Sequence, residues 1–329
     1  MRNAIIHSNG MYVPERVVPN TYFDELLGEN VSDWLEEFVE IYERRWAAED
    51  ESTADLAAAA ARQAMERGNV KPDEVDLLII STDTPEFISP STSSKVQHML
   101  GLRNAGAFDI NTACAGFVTA LDVGSKYVKA DEQYQTVLII GAYAMSKYIN
   151  KLDKKTANLF ADGAGAFILK GEKNSNRGMQ ASRLITHGQY HDYMGIFAGG
   201  TAQPVNHEAL EKGDHLLRIA KKFPPEINPE TWSAIARELS GRAGTALKDY
   251  AQYFLTQINI NSIRETMDRL ELPQEMAQTS MHYYGYTGSA CIPLAFEDAL
   301  QAGKISRGDS LMFIGSGGGL AFAGASFIY

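Results

Sequence analysis

Two stretches of this 329-residue chain follow one plan at nearly one spacing. From Cys114, a helical pattern, a polar link and the strand-like run Val137–Ile140 lead to Gly141, 27 residues on. From Ser289, the segment Ile292–Leu300, the polar link Lys304–Asp309 and the run Leu311–Ile314 lead to Gly315, 26 residues on. Such a relation predicts an internal duplication of one layered α/β unit, with halves at 1–170 and 171–329 packed into one body. Chance similarity between two ordinary strand–helix–strand units is the alternative. The apolar runs Val75–Ile80 and Thr136–Gly141 read as strands buried on both faces, and Thr53 to Arg67 is alanine-rich at helical spacing. The class is α/β.

Composition excludes several kinds of function. No apolar run is long enough to span a bilayer, and the chain opens on no charged-then-apolar signal segment, so a soluble cytoplasmic protein is expected. Two cysteines, Cys114 and Cys291, cannot form a disulfide framework, and neither sits among histidines at metal-ligand spacing. The histidines His187, His191, His207 and His215 fall in a polar, glycine-containing stretch and read as loop residues, so no metal site is expected. A net charge of −11 argues against a broad nucleic-acid surface.

Cys114 lies in Asn111-Thr112-Ala113-Cys114-Ala115-Gly116-Phe117, where an apolar run gives way to a helix. A cysteine in the first helical turn faces unpaired N–H groups and the positive end of the helix dipole, which favour thiolate. The small neighbours Ala113, Ala115 and Gly116 leave room for a thioester, while Phe117, Leu121 and Val128 share a helical face that buries the helix. A buried structural cysteine is the competing reading.

The run Ala107–Phe117, the segment Phe160-Ala161-Asp162-Gly163-Ala164-Gly165-Ala166 and the ending Gly317-Gly318-Gly319-Leu320-Ala321-Phe322-Ala323-Gly324 resemble β-ketoacyl-acyl-carrier-protein synthase III of the thiolase superfamily. Tyr42-Glu43-Arg44-Arg45 and Met99-Leu100-Gly101-Leu102 add to the likeness, which covers most of the chain. The resemblance implies the duplicated, layered α/β/α/β/α thiolase fold and a homodimer paired through the N-terminal half. It also implies an acylated Cys114 and thioester substrates on coenzyme A or acyl carrier protein, with no resident cofactor. The oxyanion would be held by the amide of Cys114 and one from the glycine-rich loop, assigned to Gly318. Those glycines also suit a tight turn.

Within the resemblance there are departures. Where the family carries histidine before Gln-x-Asn, this chain reads Thr256-Gln257-Ile258-Asn259. Where it carries asparagine after glycine, the chain reads Gly285-Tyr286-Thr287. The family's pair stabilises the enolate of a decarboxylating malonyl group, and threonine offers only a weak donor that does not titrate. His282 is the nearest replacement base, with a supporting role as the alternative. By resemblance Trp34 stacks on the adenine of coenzyme A, Lys154 lies near a phosphate contact and Asn259 falls in the substrate-binding set. Phe38 and Asn261 stand where basic residues are usual, which weakens phosphate binding. The stretch from Leu216 to Tyr250 is unlike the family; Phe223-Pro224-Pro225-Glu226 breaks the chain, a helix follows near Pro229–Trp232, and the segment either shapes acceptor choice or forms a divergent surface helix.

Three readings follow. The first is a condensing acyltransferase with Tyr286 or His282 replacing the usual pair. The second is acyl transfer from Cys114 to an amine, alcohol or thiol. The third is an inactive partner subunit of a heteromeric synthase.

Overall fold

The central strands follow from their composition: Leu77–Ser81 (β4) and Thr136–Ala144 (β6) bury every residue, as strands covered on both faces must. The computed structural model describes residues 2–329. In it β4 lies between β6 and Gly106–Ile110 (β5), parallel to both, while Asp162–Lys173 (β7) and Arg2–Tyr12 (β1) complete the sheet antiparallel, in the order β1-β7-β6-β4-β5. A second sheet holds Gly178–Thr186 (β8), Gln252–Leu255 (β11), Ser310–Gly317 (β12) and Ala321–Ile328 (β13) in the order β8-β13-β12-β11. Its pairing directions repeat those of the first sheet: β11 is parallel to β12, and β13 is antiparallel to β12 and β8. A parallel bridge from Tyr253 to Ala277 marks the place matching β5. The chain passes from one sheet to the other between Lys173 and Gly178, a few residues beyond the expected boundary at 170. Two ribbons pair Val17–Pro19 (β2) with Glu43–Arg45 (β3), and Met194–Gly195 (β9) with Arg218–Ile219 (β10).

Helices fill three layers. Thr53–Arg67 (α3) and Thr92–Leu100 (α4), after the short Thr21–Leu27 (α1) and Ser32–Trp34 (α2), cover the outer face of the first sheet. Gly116–Ala130 (α5) lies between the sheets, where Phe117, Leu121 and Val128 are buried and the Phe117 ring meets Phe167 at 4.9 Å, edge to face. After His207–Glu211 (α6), Ile227–Ala243 (α7) covers the second sheet and Ile260–Leu270 (α8) packs against α7. The helix expected near Pro229 begins earlier, with Glu226 before its first residue; Pro229 is tolerated because a first turn has no amide partners to lose. Met281–Tyr284 (α9) leads to Cys291–Gln301 (α10), which joins α5 in the central layer. The order is α/β/α/β/α, as expected.

The duplication is reciprocal in its packing. Cys114 stands two residues before α5 and Ser289 two before α10. A methyl group on Gly141 of β6 would lie 2.4 Å from the Ser289 carbonyl oxygen, and one on Gly315 of β12 would lie 2.9 Å from Ala115 Cα. Each glycine lets its strand touch the turn that precedes the other half's central helix. The Ser289 hydroxyl, 3.1 Å from Ser81 O and 3.0 Å from Ala142 O, locks the second half onto the ends of β4 and β6.

Candidate active site

β5 ends at Ile110, and the chain turns before α5. Ala113 N donates to Asn111 Oδ1 (3.0 Å), Gly116 N donates to Ala113 O (2.9 Å), and Ala113 takes a left-handed φ of 46°. Cys114 is thus on a tight turn just outside the helix, one residue before Ala115, the residue that precedes its first turn, not within that turn as expected from sequence. Its thiol is buried, at 2% exposure, and faces a cavity of about 430 Å³.

Burial pushes the Cys114 thiol well above the usual thiol range, and the Asp83 carboxylate pushes it the same way. A hydrogen bond from the Tyr286 hydroxyl and the cysteine's own amide oppose them without overcoming them. The expectation that a first helical turn favours thiolate is therefore corrected: Cys114 stands outside that turn, and burial with the Asp83 charge holds the group toward the thiol. Cys291, also buried, is pushed up to about 12 by desolvation and does not line the cavity.

Tyr286 is held from both sides. Its amide donates to Leu159 O (2.8 Å), its carbonyl accepts from Ala161 N (2.9 Å), and its ring packs on Phe160 at 5.4 Å. Burial raises the phenol well above its ordinary value, so the hydroxyl stays a neutral donor aimed at the Cys114 sulfur. Thr256, buried at the end of β11, is not on the cavity wall. Its hydroxyl donates to Ser316 O (3.3 Å) and accepts from Ser316 N (2.8 Å), fastening the strand that leads into the glycine-rich loop. Ser316, Gly317 and Gly318 do line the cavity. A methyl group on Gly317 would lie 2.6 Å from Cys114 N and 2.5 Å from Thr112 O, so this loop presses on the cysteine amide, and glycine is needed for the approach itself.

His282 lies away from the wall. Nδ1 is 2.6 Å from Glu40 O, Nε2 is 3.0 Å from Thr279 Oγ1, and the ring stacks on Tyr42. With both nitrogens engaged, it ties α9 to the segment after α2, which is the supporting placement. Gln257, which sequence reasoning did not single out, does comparable work. Its Oε1 accepts from Ser280 N (2.7 Å) and Met281 N (3.1 Å), and its Nε2 donates to Gln278 O (3.1 Å), anchoring the loop that carries Tyr286.

At the mouth stand Trp34 and Phe38, each half exposed, with Asn259, Asn261 and Asn228. Asn259 Oδ1 accepts from Asn261 N (2.9 Å) and so caps α8. Lys154 is ion-paired with Glu29 and lies off the wall. Met194, Ile219, Phe223, Pro224, Pro225 and Ile227 also line it. The divergent stretch thus supplies much of one wall, through the residues that break the chain. Among the described residues the lining contains no aspartate, glutamate, lysine, arginine or histidine, and no group of three or more metal-ligating side chains occurs.

The profile of 3-oxoacyl-[acyl-carrier-protein] synthase III matches residues 108–188, and that of its C-terminal region matches residues 241–329. The chain belongs to the synthase III family. It is 33% identical over 315 residues to β-ketoacyl-[acyl-carrier-protein] synthase III of Syntrophomonas wolfei, covering 96% of this chain and 94% of that one. Against the same enzyme of Xanthomonas oryzae it is 34% identical over 329 residues, covering 98% of each. Among solved structures it is similar to the synthase III of Aquifex aeolicus, with a TM-score of 0.88 at 28% identity over 99% of this chain and all of that one. It is equally similar to the priming β-ketosynthase of a polyketide biosynthetic pathway, with a TM-score of 0.88 at 27% identity, covering 99% and 96%. OleA of Xanthomonas campestris, at 17% identity, shares the fold. Relatives in this synthase III family are acyltransferases and condensing enzymes. No helix among the described residues is long and apolar enough to cross a membrane.

Proposed function

We propose that this protein is a synthase III-like acyltransferase that carries its acyl group on Cys114. The observation that supports it is the placement of Cys114: a buried thiol facing a cavity without charged groups, touched by a neutral phenol and pressed by the glycine-rich loop. The sulfur attacks the carbonyl of an acyl thioester, the amides of Cys114 and of the loop at Gly318 hold the oxyanion, and the displaced thiol leaves with the proton. The donor is a thioester on acyl carrier protein or coenzyme A, entering past Trp34 and Asn259, and the working form is a cytoplasmic homodimer with no further cofactor.

Thr256 favours a second reading of the later step. Its hydroxyl is committed to Ser316, and with Tyr286 it stands where the resemblance leads one to expect the enolate-stabilising pair. Losing a positioned acid–base group costs a factor of roughly 10²–10⁴, so acyl delivery to an amine, alcohol or thiol is favoured over decarboxylative condensation. The intact nucleophile setting weighs against an inactive partner subunit. Intact-mass spectrometry after incubation with acyl-coenzyme A and acyl-carrier donors, each with and without malonyl acceptor, is the test. The acyl mass should appear on the native chain and not on Cys114→Ala; acylation of that variant would end the proposal.

A further inference from the structure

Arg44, in β3, is a fully buried cation. Arginine is rarely found so deep without an acid beside it, because a charge taken out of water must be met by partners. The neighbouring acid in the chain, Glu43, is paired with Arg45 at 3.6 Å, and among the described residues no carboxylate lies within ion-pair distance of Arg44. Its fork is turned to neutral acceptors instead. Nη1 donates to Val18 O (3.1 Å), Nη2 donates to Asn20 Oδ1 and to Asn158 O (2.7 Å each), and the guanidinium lies over the Phe23 ring at 4.8 Å. Acceptors on the β2 side and on the segment at Asn158 are met at once by one planar group, which a lysine or an apolar side chain cannot do.

What Arg44 grips is the segment on which Tyr286 hangs. Alternate residues of 158–162 are held from the side of β3: Asn158 O by Arg44, Phe160 O by Trp46 Nε1 (3.1 Å), and Asp162 Oδ2 by Ala47 N (2.7 Å). The two residues between them hold Tyr286, whose amide donates to Leu159 O and whose carbonyl accepts from Ala161 N. At Gly285 a methyl group would lie 2.5 Å from Arg44 Cβ and 2.8 Å from Ala161 Cβ, so the backbone leading into Tyr286 touches both. Leu159 and Tyr286 line the cavity together with Cys114, and Arg44 stands behind them. We propose that Arg44 is a positioning residue that sets the Tyr286 side chain beside the Cys114 sulfur by fixing the backbone at Asn158–Ala161. The inference goes beyond the acyl-transfer reading and rests on its nucleophile, Cys114.

The experiment is a double-mutant cycle read on alkylation of Cys114 by iodoacetamide at about pH 8.5, near the ordinary thiol value, mapped by peptide mass. Arg44→Met keeps an unbranched apolar stem and removes every donor. It should slow alkylation about fivefold or more in the native background, and by less than about twofold when Tyr286→Phe is already present, because groups that act as one unit are not additive. A merely structural role, or long-range action of the lost charge on the thiol, would slow both backgrounds by the same factor. That result overturns the inference. So does native-rate alkylation in Arg44→Met, or in Tyr286→Phe, which would leave the arginine nothing to position. If Arg44→Met does not fold, the same cycle with Arg44→Lys decides, since lysine keeps the charge and loses the fork. Alkylation needs no acyl donor, so absence of acyl mass on native Cys114 would refute the acyl-transfer reading and leave the outcome of this cycle unaffected.

Discussion

At the scale of single residues, the site turns on how a buried thiol is made reactive. Desolvation holds Cys114 protonated, and the Tyr286 hydroxyl is the side-chain hydrogen bond that works the other way. A hydrogen bond to a charged group contributes about 1.5–3 kcal/mol. Tyr286→Phe should thus raise the thiol further and slow alkylation of Cys114 at pH 8.5 roughly tenfold or more, since about 1.4 kcal/mol is tenfold. An unchanged alkylation rate would show that the phenol does not stabilise the thiolate. Thr256 behaves differently, because its hydroxyl holds Ser316 by two contacts that an imidazole at that position would give up. Cys114 and Tyr286 were legible in sequence because each sits in a recognisable local run. The contacts of Thr256 and His282 were not, because they join residues 60 and 242 positions apart.

At the scale of elements, the chain's patterning carried further. The alanine-rich pattern from Thr53 to Arg67 is α3, closed at its start by the Ser52–Asp55 capping box, and the apolar runs are β4 and β6. The antiparallel flanks β1 and β7 and the cover of α7 were less legible, since edge pairing depends on tertiary contacts and β-propensity is strongly contextual. What the elements do for the site is set by the approach of β12 to the turn at Cys114. Gly317→Ala would place a methyl group 2.5–2.6 Å from Thr112 O and Cys114 N, both backbone atoms. Neither can give way without moving the cysteine. A misplacement on the order of 1 Å costs about 10²-fold in a positioned reaction, so acyl-Cys114 formation should fall about that much while the far-ultraviolet circular dichroism stays native. Full activity in this variant would mean that the loop does not set the position of the nucleophile.

At the scale of the whole molecule, the ionisable groups decide how stability varies with pH. Burial raises Asp83, Asp162 and Asp298 to about 6, above the 3.8 of a free side chain. Groups raised in the folded state bind protons on folding, so their contribution is complete below about pH 4 and is lost as pH rises through about 6. Asp24, Asp55 and Glu86 are lowered: the Ser32 hydrogen bond holds Asp24 down, while hydrogen bonds from Ser52 and Lys95 outweigh the burial of Asp55 and Glu86. Their contribution is present above about pH 4 and is lost in stronger acid. The net charge of −11 adds repulsion that weakens as carboxylates protonate, which favours the folded state in the same direction as the buried aspartates. Asp162, fully buried though it accepts from Ala47 N and Ser146 N, accounts for about 2–3 kcal/mol of this pH dependence. The melting temperature should therefore be higher at pH 5.5 than at pH 7.5, by roughly 2–5 °C, and Asp162→Asn should reduce that difference. A melting temperature that falls steadily on acidification from 7.5 to 5.5, measured by calorimetry in dilute solution, would show that these carboxyls are already ionised in the fold and that their hydrogen bonds outweigh burial.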